Sequence, residues 1–337
     1  MKHIILEASN TNFGGGFVLL EQILKYCDTN ALHITVYIGY PAIYNALISR
    51  NYQYVTLIKT NTVSTLFRYC LKREQVLYFC NLPPFVKNRK SVLFAHNILF
   101  FRKPAYDKVQ SLLFNIKIFV YYFWIRLFAD RVSRVACQTE DVRSTLLANL
   151  NVKAELFPFY TTFVPFELKK QYDFCYVSSA PPHKNHLLLL KAISILAEVK
   201  TFNVVLTIAD RPENKLILDE IDAINKRFSR EVVVNAGYVT NEEVLKLYAS
   251  SRALVYPSLD ETIALPLIEA VQSGITVLTA DRPYSYQVIE GPVLFDPLDP
   301  KSIADTMSDF LDGRYEGMKQ DIKVANRLPE LMACLVE

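Results

Sequence analysis

Glu261 and Glu269 stand with seven residues between them, in the run Tyr256-Pro257-Ser258-Leu259-Asp260-Glu261-Thr262-Ile263-Ala264-Leu265-Pro266-Leu267-Ile268-Glu269-Ala270, which Ser273-Gly274 follows. An apolar strand pattern ends at Tyr256 and one carboxylate falls in the loop. A helix then opens with Pro266 in its first turn, where proline is tolerated because its missing N–H would be unbonded anyway. Glu269 comes in the early turns of that helix. Carboxylates accept hydrogen bonds from vicinal hydroxyls, the groups that sugars and ribose present. Between them, the unbonded N–H groups of the helix start suit a phosphate. The plainer alternative is an acidic helix start placed for its dipole.

Lys184 is the second chemical signal. It lies in Ser178-Ser179-Ala180-Pro181-Pro182-His183-Lys184-Asn185-His186, between a strand pattern and a helix pattern. A cation at a helix amino end opposes the dipole, and an anionic ligand held between the two reverses that sign. The position reads as a diphosphate site, the alternative being a solvated lysine. His183 and His186 have no acidic or cysteine partner nearby in sequence, so a metal centre is unsupported. A third signal is Asn10-Thr11-Asn12-Phe13-Gly14-Gly15-Gly16. Three glycines let a backbone approach a ligand closely. The spacing is not G-x-G-x-x-G and no acidic residue ends the next strand, so a dinucleotide fingerprint is absent. A tight turn remains the alternative.

Strands alternating with helices must position these groups. Lys2–Ala8, Leu32–Gly39, Tyr54–Ile58, Val76–Cys80, Ser91–Ala95 and Arg134–Cys137 read as strands of a first half. Phe17–Tyr26, Ile43–Ser49, Lys108–Phe128 and Thr139–Asn149 read as its helices, the last with Thr139 as cap. The second half repeats the rhythm from Phe174 to Thr279, and a final helix is expected at about Arg314–Asn326. Alternation of this kind implies parallel sheets covered on both faces. The fold class is therefore α/β, with two doubly wound Rossmann-like domains facing across a cleft. The expected divisions are 1–165 for an N-terminal domain and 166–313 for a C-terminal domain. Residues 314–337 form a C-terminal helix returning to the first domain. In such sheets ligands bind at the carboxyl ends of strands, which is where Gly14–Gly16, Lys184 and Glu261 fall.

Composition narrows the class. Hydrophobic residues make up 51% and charged residues 21%, which excludes a disordered chain. The six cysteines form no C-x-x-C pair and read as reduced core residues of a cytoplasmic protein. The amino terminus meets Glu7 before a signal-peptide core could form, so the chain is expected to stay where it is made. The net charge of +3 is uneven. Residues 1–165 hold 19 Lys/Arg against 9 Asp/Glu, and residues 166–337 hold 18 against 25. The basic half suits an anionic partner. Nucleic acid is disfavoured, because its basic residues are not grouped with stacking aromatics in a recognisable module.

The run Tyr238…Glu242-Glu243-Val244…Leu247-Tyr248…Tyr256-Pro257-Ser258…Glu261…Leu265-Pro266…Glu269-Ala270…Ser273-Gly274 resembles the retaining group-1 glycosyltransferases of GT-B fold, the type found in bacterial polysaccharide, lipopolysaccharide and O-antigen synthesis. His183-Lys184-Asn185, with Leu190 and Ala192, is similar to their second signature, and the early glycine-rich loop fits their first. The resemblance implies sugar transfer from a nucleotide-sugar donor to a glycan or lipid-linked acceptor, with retention, no cofactor and no metal. The absence of a D-x-D motif agrees. It also implies roles. Lys184 neutralises the donor diphosphate, Glu261 holds the sugar hydroxyls and Glu269 the ribose. The backbone at Thr262, Ala264 and Leu265 touches sugar and phosphate, Gly14, Gly15 and Gly16 close over the diphosphate, and Tyr238 and Val239 line the base pocket. His96 matches a histidine beside the sugar in some members, with a buried structural histidine as the alternative. Two departures stand out: Ser178-Ser179 replaces a Gly-Arg pair, with Arg211 the substitute cation, and Thr262-Ile263-Ala264 replaces Gly-Phe-Gly. Two other readings stay open on these departures: a GT-B-fold sugar-nucleotide epimerase or hydrolase, and a non-catalytic nucleotide-sugar-binding partner.

Within the helix Lys108–Phe128, Lys108, Asn115, Tyr122 and Arg126 form a narrow polar stripe. Such a stripe first suggests a buried helix. The longest run without a polar or charged residue in its middle, Ile118–Ile125, falls short of the ~20 apolar residues a membrane span requires. The alternative is a helix lying in the interface, with Trp124 at headgroup level and the basic half drawn to an anionic leaflet. Localisation is then cytoplasmic and peripheral, on the inner face of the plasma membrane.

Overall fold

Short apolar runs form two separate parallel sheets in a computed structural model that describes residues 3–104 and 112–336. The chain divides into two units, Met1–Thr161 with Ala325–Glu337, and Thr162–Val324.

The first unit holds strands β1 (Ile4–Glu7), β2 (Ile34–Ile38), β3 (Val55–Lys59), β4 (Glu74–Tyr78), β5 (Arg89–Ala95), β6 (Arg134–Cys137) and β7 (Glu155–Leu156). They pair in the order β3-β2-β1-β4-β5-β6-β7, all parallel. Helices α1 (Gly15–Thr29), α2 (Pro41–Ile48), α3 (Thr62–Tyr69), α4 (Leu112–Phe128) and α5 (Glu140–Leu150) connect them. The expected helix start at Lys108 lies outside the described residues. Thr139 precedes α5 as expected, but its side chain makes no capping bond and its Oγ1 is buried without a partner. Glu140 and Asp141 occupy the first turn, where the helix dipole favours them.

The second unit holds β8 (Tyr172–Tyr176), β9 (Val204–Leu206), β10 (Val233–Asn235), β11 (Ser251–Tyr256), β12 (Thr276–Ala280), β13 (Ile289–Glu290), β14 (Val293–Phe295) and β15 (Asp321–Ile322). Six of these form the parallel sheet β10-β9-β8-β11-β12-β14, while β13 and β15 make a small antiparallel pair. Its helices are α6 (His186–Ala197), α7 (Lys215–Phe228), α8 (Asn241–Ala249), α9 (Leu265–Gln272), α10 (Pro283–Val288) and α11 (Pro300–Leu311). Local signals agree with these limits. Thr240 and Glu243 close a reciprocal capping box on α8. Asp299 caps α11, with Pro300 next to it.

The final helix is corrected. No helix forms over Arg314–Asn326, where turns and β15 occur; α12 instead spans Leu328–Val336 and packs on β4 and β5 of the first unit. Gly317, inside that span, takes a positive φ of 73°, which interrupts a helix, and Gly313 (φ 80°) follows the end of α11. Pro329 sits where a helix start accepts proline.

Gly39 fixes a close approach at the carboxyl end of β2. A Cβ there would lie 2.2 Å from the Ser9 carbonyl oxygen, so one backbone segment would have to move. Overpacking of this kind costs about 1–3 kcal/mol. Gly39→Ala is expected to lower the melting temperature by several degrees, at ~2–4 °C per kcal/mol for a unit of this size. An unchanged melting curve would show that the loop after β1 is free to shift.

Candidate functional site

In both sheets the strand order reverses beside the first strand of the unit, between β1 and β4 and between β8 and β11. Ligands of open α/β sheets bind at the carboxyl ends of the strands at such switch points. In the second unit, the loops after β8 and β11 carry Lys184 and Glu261. Tyr238 and Val239 follow β10, and Arg211 follows β9.

The sheet brings Lys184 and Glu261 together across 77 positions of sequence. The Lys184 ammonium donates to Glu261 Oε1 and, at 3.1 Å, to the Tyr256 hydroxyl; that hydroxyl in turn donates to Glu261 Oε1 at 2.6 Å. The side chains of Lys184 and Glu261 are only 15% and 14% exposed. Lys184 is therefore not the lone cation that its sequence position implied. It ends a single 3₁₀ turn, Pro182–Lys184, and α6 begins two residues later behind the left-handed cap Asn185 (φ 62°). This pairing gives the lysine a compensating charge before any anionic ligand arrives.

Buried polar groups hold the two loops in register. The Asn185 amide donates to the Pro297 carbonyl at 2.7 Å and to the Pro257 carbonyl at 3.3 Å. Leu259 N–H donates to the His183 carbonyl, the Tyr176 hydroxyl to the Lys184 carbonyl, and the Tyr284 hydroxyl to the Ser258 carbonyl. Tyr176 and Tyr284 both meet the Tyr256 ring edge to face. Sequence reasoning missed this tyrosine frame. Tyr256 was visible in the motif, but nothing local marks a phenol as the bridge between a lysine and a glutamate. His186 is buried against Tyr176, and burial drives its pKa down to about 3, so it is a neutral core imidazole.

The helix start after Glu261 is unusual. Ala264, where the related pattern has glycine, caps α9 in the left-handed region at φ 47°, a conformation that costs a residue with a Cβ roughly 1–2 kcal/mol. The amides of Ala264 and Leu265 precede the first bond of the helix, Leu267 N–H to the Ala264 carbonyl. They are the orphan donors expected of a helix start. Ala264 and Leu265 are buried and Thr262 is partly exposed. Tyr238 is 68% exposed and Val239 partly so. Arg211 is also largely exposed, 3.9 Å from Glu213.

Glu269 lies in α9 with its side chain half-buried, accepting a hydrogen bond from the Tyr248 hydroxyl at 3.1 Å. Burial raises its pKa to about 7, against the opposing pull of that bond. A folded-state pKa above the unfolded value means that stability is fully present below about pH 4 and falls as pH rises towards 7. Glu269→Gln is expected to remove that slope, so the melting-temperature gap between variant and parent should widen in the variant's favour from pH 5 to 8. A parallel pair of pH–stability curves would contradict the assignment.

In the first unit, Gly14 takes φ 109°, a value open mainly to glycine, and α1 begins at Gly15. A Cβ on Gly16 would lie 3.7 Å from His96 Nε2, so the glycine-rich loop and His96 are neighbours. The His96 ring stacks on Phe79 with centroids 4.5 Å apart, and its Nε2 lies 3.3 Å from the Asn81 amide nitrogen. Burial lowers its pKa to about 4, so it is neutral at pH 7, and Nδ1 has no protein partner. None of the six cysteines forms a disulfide; Cys27, Cys80, Cys137 and Cys175 are buried, Cys334 is partly exposed and Cys70 exposed.

Residues 162–327 match the profile of the family described as glycosyl transferases group 1. The O-antigen chain mannosyltransferase RfbU of Salmonella typhimurium is 26% identical over 221 residues, covering 64% of this chain and 59% of the relative. The O-antigen chain mannosyltransferase B of Escherichia coli is 26% identical over 224 residues, covering 61% and 54%. The chain thus spans less than two thirds of the length of these relatives. Among solved structures, Anabaena HepE in complex with UDP and glucose is similar with a TM-score of 0.67, at 14% identity over 99% of this chain and 95% of that one. A glycine-to-arginine mutant of S. aureus TarM in complex with Fondaparinux, alpha-GlcNAc-glycerol and UDP gives 0.69, at 12% identity over 100% and 96%. The fold is the two-domain Rossmann-like α/β architecture of GT-B glycosyltransferases, and residues 162–327 carry the group-1 glycosyltransferase signature.

Proposed function

We propose that this chain transfers a sugar from a nucleoside-diphosphate donor to a growing glycan or lipid-linked acceptor in cell-surface polysaccharide synthesis, with retention and without a bound metal. The observation that carries this reading is the Lys184–Tyr256–Glu261 cluster, set at the switch point of the second unit's sheet beside the open amides of α9. An arriving diphosphate offers Lys184 an anion and frees Glu261, whose carboxylate then accepts from sugar hydroxyls. Both contacts are charge-assisted, the strong class of hydrogen bond. The orphan amides at Ala264 and Leu265 add dipole stabilisation to the leaving diphosphate. Glu269 as a carboxylate accepts from the ribose diol, so donor KM should fall as pH rises through about 7.

Mannose is the first donor sugar to test, since O-antigen mannosyltransferases are among the relatives. Within the first unit, His96 and the neighbouring Gly14–Gly16 loop are the groups this reading assigns to ligand contact. The cytoplasmic face of the membrane is the location this reading favours. The deciding experiment offers a panel of nucleoside-diphosphate sugars with lipid-linked glycan acceptors, with and without chelator. Proton coupling at the new anomeric centre reads the stereochemistry. A product with the donor's configuration, formed in chelator, supports the proposal. An inverted product contradicts retention, and chelator-sensitive turnover contradicts metal independence.

A further inference from the structure

We propose that the outward face of α4 docks the first unit on an anionic lipid surface, with the helix lying in the interface plane. The sequence first suggested a buried helix, and that expectation is overturned: along Leu112–Phe128 only Tyr122 and Ile125 are buried. At about 100° per residue, Leu112, Ile116, Phe119, Val120, Phe123 and Leu127 fall within one arc of roughly 100°, the width of an apolar stripe. All six are exposed, Phe119 by 53% and Leu127 by 63%. Single exposed apolar residues are ordinary, whereas a contiguous stripe marks an interaction surface.

The charges select the occupant. Lys117 and Arg126 are exposed and fall on opposite edges of the stripe, the placement of cations that reach the headgroups while the apolar arc sinks below them. The unit around the helix holds 20 Lys/Arg against 11 Asp/Glu, a formal charge of +9, while the other unit carries −6. The residues Leu112–Arg131 are long and apolar enough to cross a bilayer by length and composition. Packing of the opposite face argues for lying in the surface instead. The Tyr122 hydroxyl donates to the Asn149 carbonyl, Trp124 Nε1 donates to the Pro83 carbonyl, and Trp124 stacks on Phe85.

The test is co-sedimentation of the full chain with phosphatidylcholine vesicles, with and without one third phosphatidylglycerol. Trp124, the chain's single tryptophan, supplies an emission shift as a second readout. Binding to the anionic vesicles is expected to be at least tenfold tighter than to neutral ones, and to weaken in high salt. The double variant Phe119→Ser/Phe123→Ser should lose at least tenfold in binding. Lys117→Glu/Arg126→Glu should do the same, since each basic residue near such a surface contributes roughly fivefold. Absence of binding to anionic vesicles, or unchanged binding by the phenylalanine variant, would overturn the proposal. So would a parent dimer in solution that the same phenylalanine substitutions dissolve, because a second copy would then own the face. None of these readouts depends on sugar transfer.

Discussion

Glu261→Ala is expected to fold and to lose sugar transfer by two or more orders of magnitude. The carboxylate is expected to hold donor-sugar hydroxyls through charge-assisted bonds of ~1.5–3 kcal/mol each, so each lost bond removes about ten- to a hundredfold in rate. The structure adds a second consequence. Glu261 also balances Lys184 in the empty site, so its removal leaves a largely buried ammonium with the Tyr256 hydroxyl alone. The melting temperature of the empty protein should drop by a few degrees. Glu261→Gln separates the two effects, because it keeps an acceptor oxygen for Tyr256 and removes the charge. Near-parent turnover by the folded alanine variant would place the sugar elsewhere.

Lys184→Ala is expected to have the other large effect, and here the structure reverses the sign that the sequence implies. A lone lysine at a helix amino end would be slightly unfavourable, so its removal would leave the empty protein unharmed. In the fold, Lys184 is the charge partner of Glu261, and removing it strands a carboxylate that is 14% exposed. Leaving a buried group short of its partner costs about 1–3 kcal/mol. The empty variant should therefore melt several degrees below the parent. Addition of a nucleoside diphosphate at 100 times its dissociation constant should raise the parent's stability by ~2.7 kcal/mol and leave the variant almost unmoved. Lys184→Arg should recover the empty protein's stability, since a guanidinium pairs well with a carboxylate, without restoring the nucleotide response, because its larger fork cannot take the ammonium's place. A full nucleotide response in Lys184→Ala would move the phosphate site to Arg211 or to the Gly14–Gly16 loop.

The difference between these two expectations shows what a linear reading can hold. The segment Tyr256–Gly274 was legible because its punctuation is local. Pro266 opens α9 and Gly274 follows its end, so strand, loop and helix are written in order. The alternation that places Lys184 and Glu261 at the carboxyl ends of their strands was legible for the same reason. Their pairing was not, since it depends on β8 and β11 becoming neighbours, with the 65 residues that carry α6, β9, α7, β10 and α8 between Asn185 and Ser251. The tyrosine frame around Tyr256 is hidden likewise, its members coming from β8, β11 and α10.

Other misreadings have equally specific causes. A stripe of few polar residues on α4 fits a core helix and an interfacial helix equally well, and only the packing of Tyr122 and Ile125 says which face is covered. The helix expected over Arg314–Asn326 ignored Gly317, which turns the chain through positive φ. Thr139 satisfies the capping preference by residue type, yet its hydroxyl has no partner.

The reading of the cluster as a transfer site is tested most directly by acceptor dependence. Release of nucleoside diphosphate from a nucleoside-diphosphate mannose would be followed with and without a lipid-linked glycan, for the parent and for Glu261→Ala. Release that requires the glycan, matches glycan product mole for mole and disappears in the variant is the expected result. Release at the same rate without any glycan would identify a hydrolase or epimerase, and binding of the donor with no release in either condition would identify a non-catalytic binder; either would contradict glycosyl transfer by this chain.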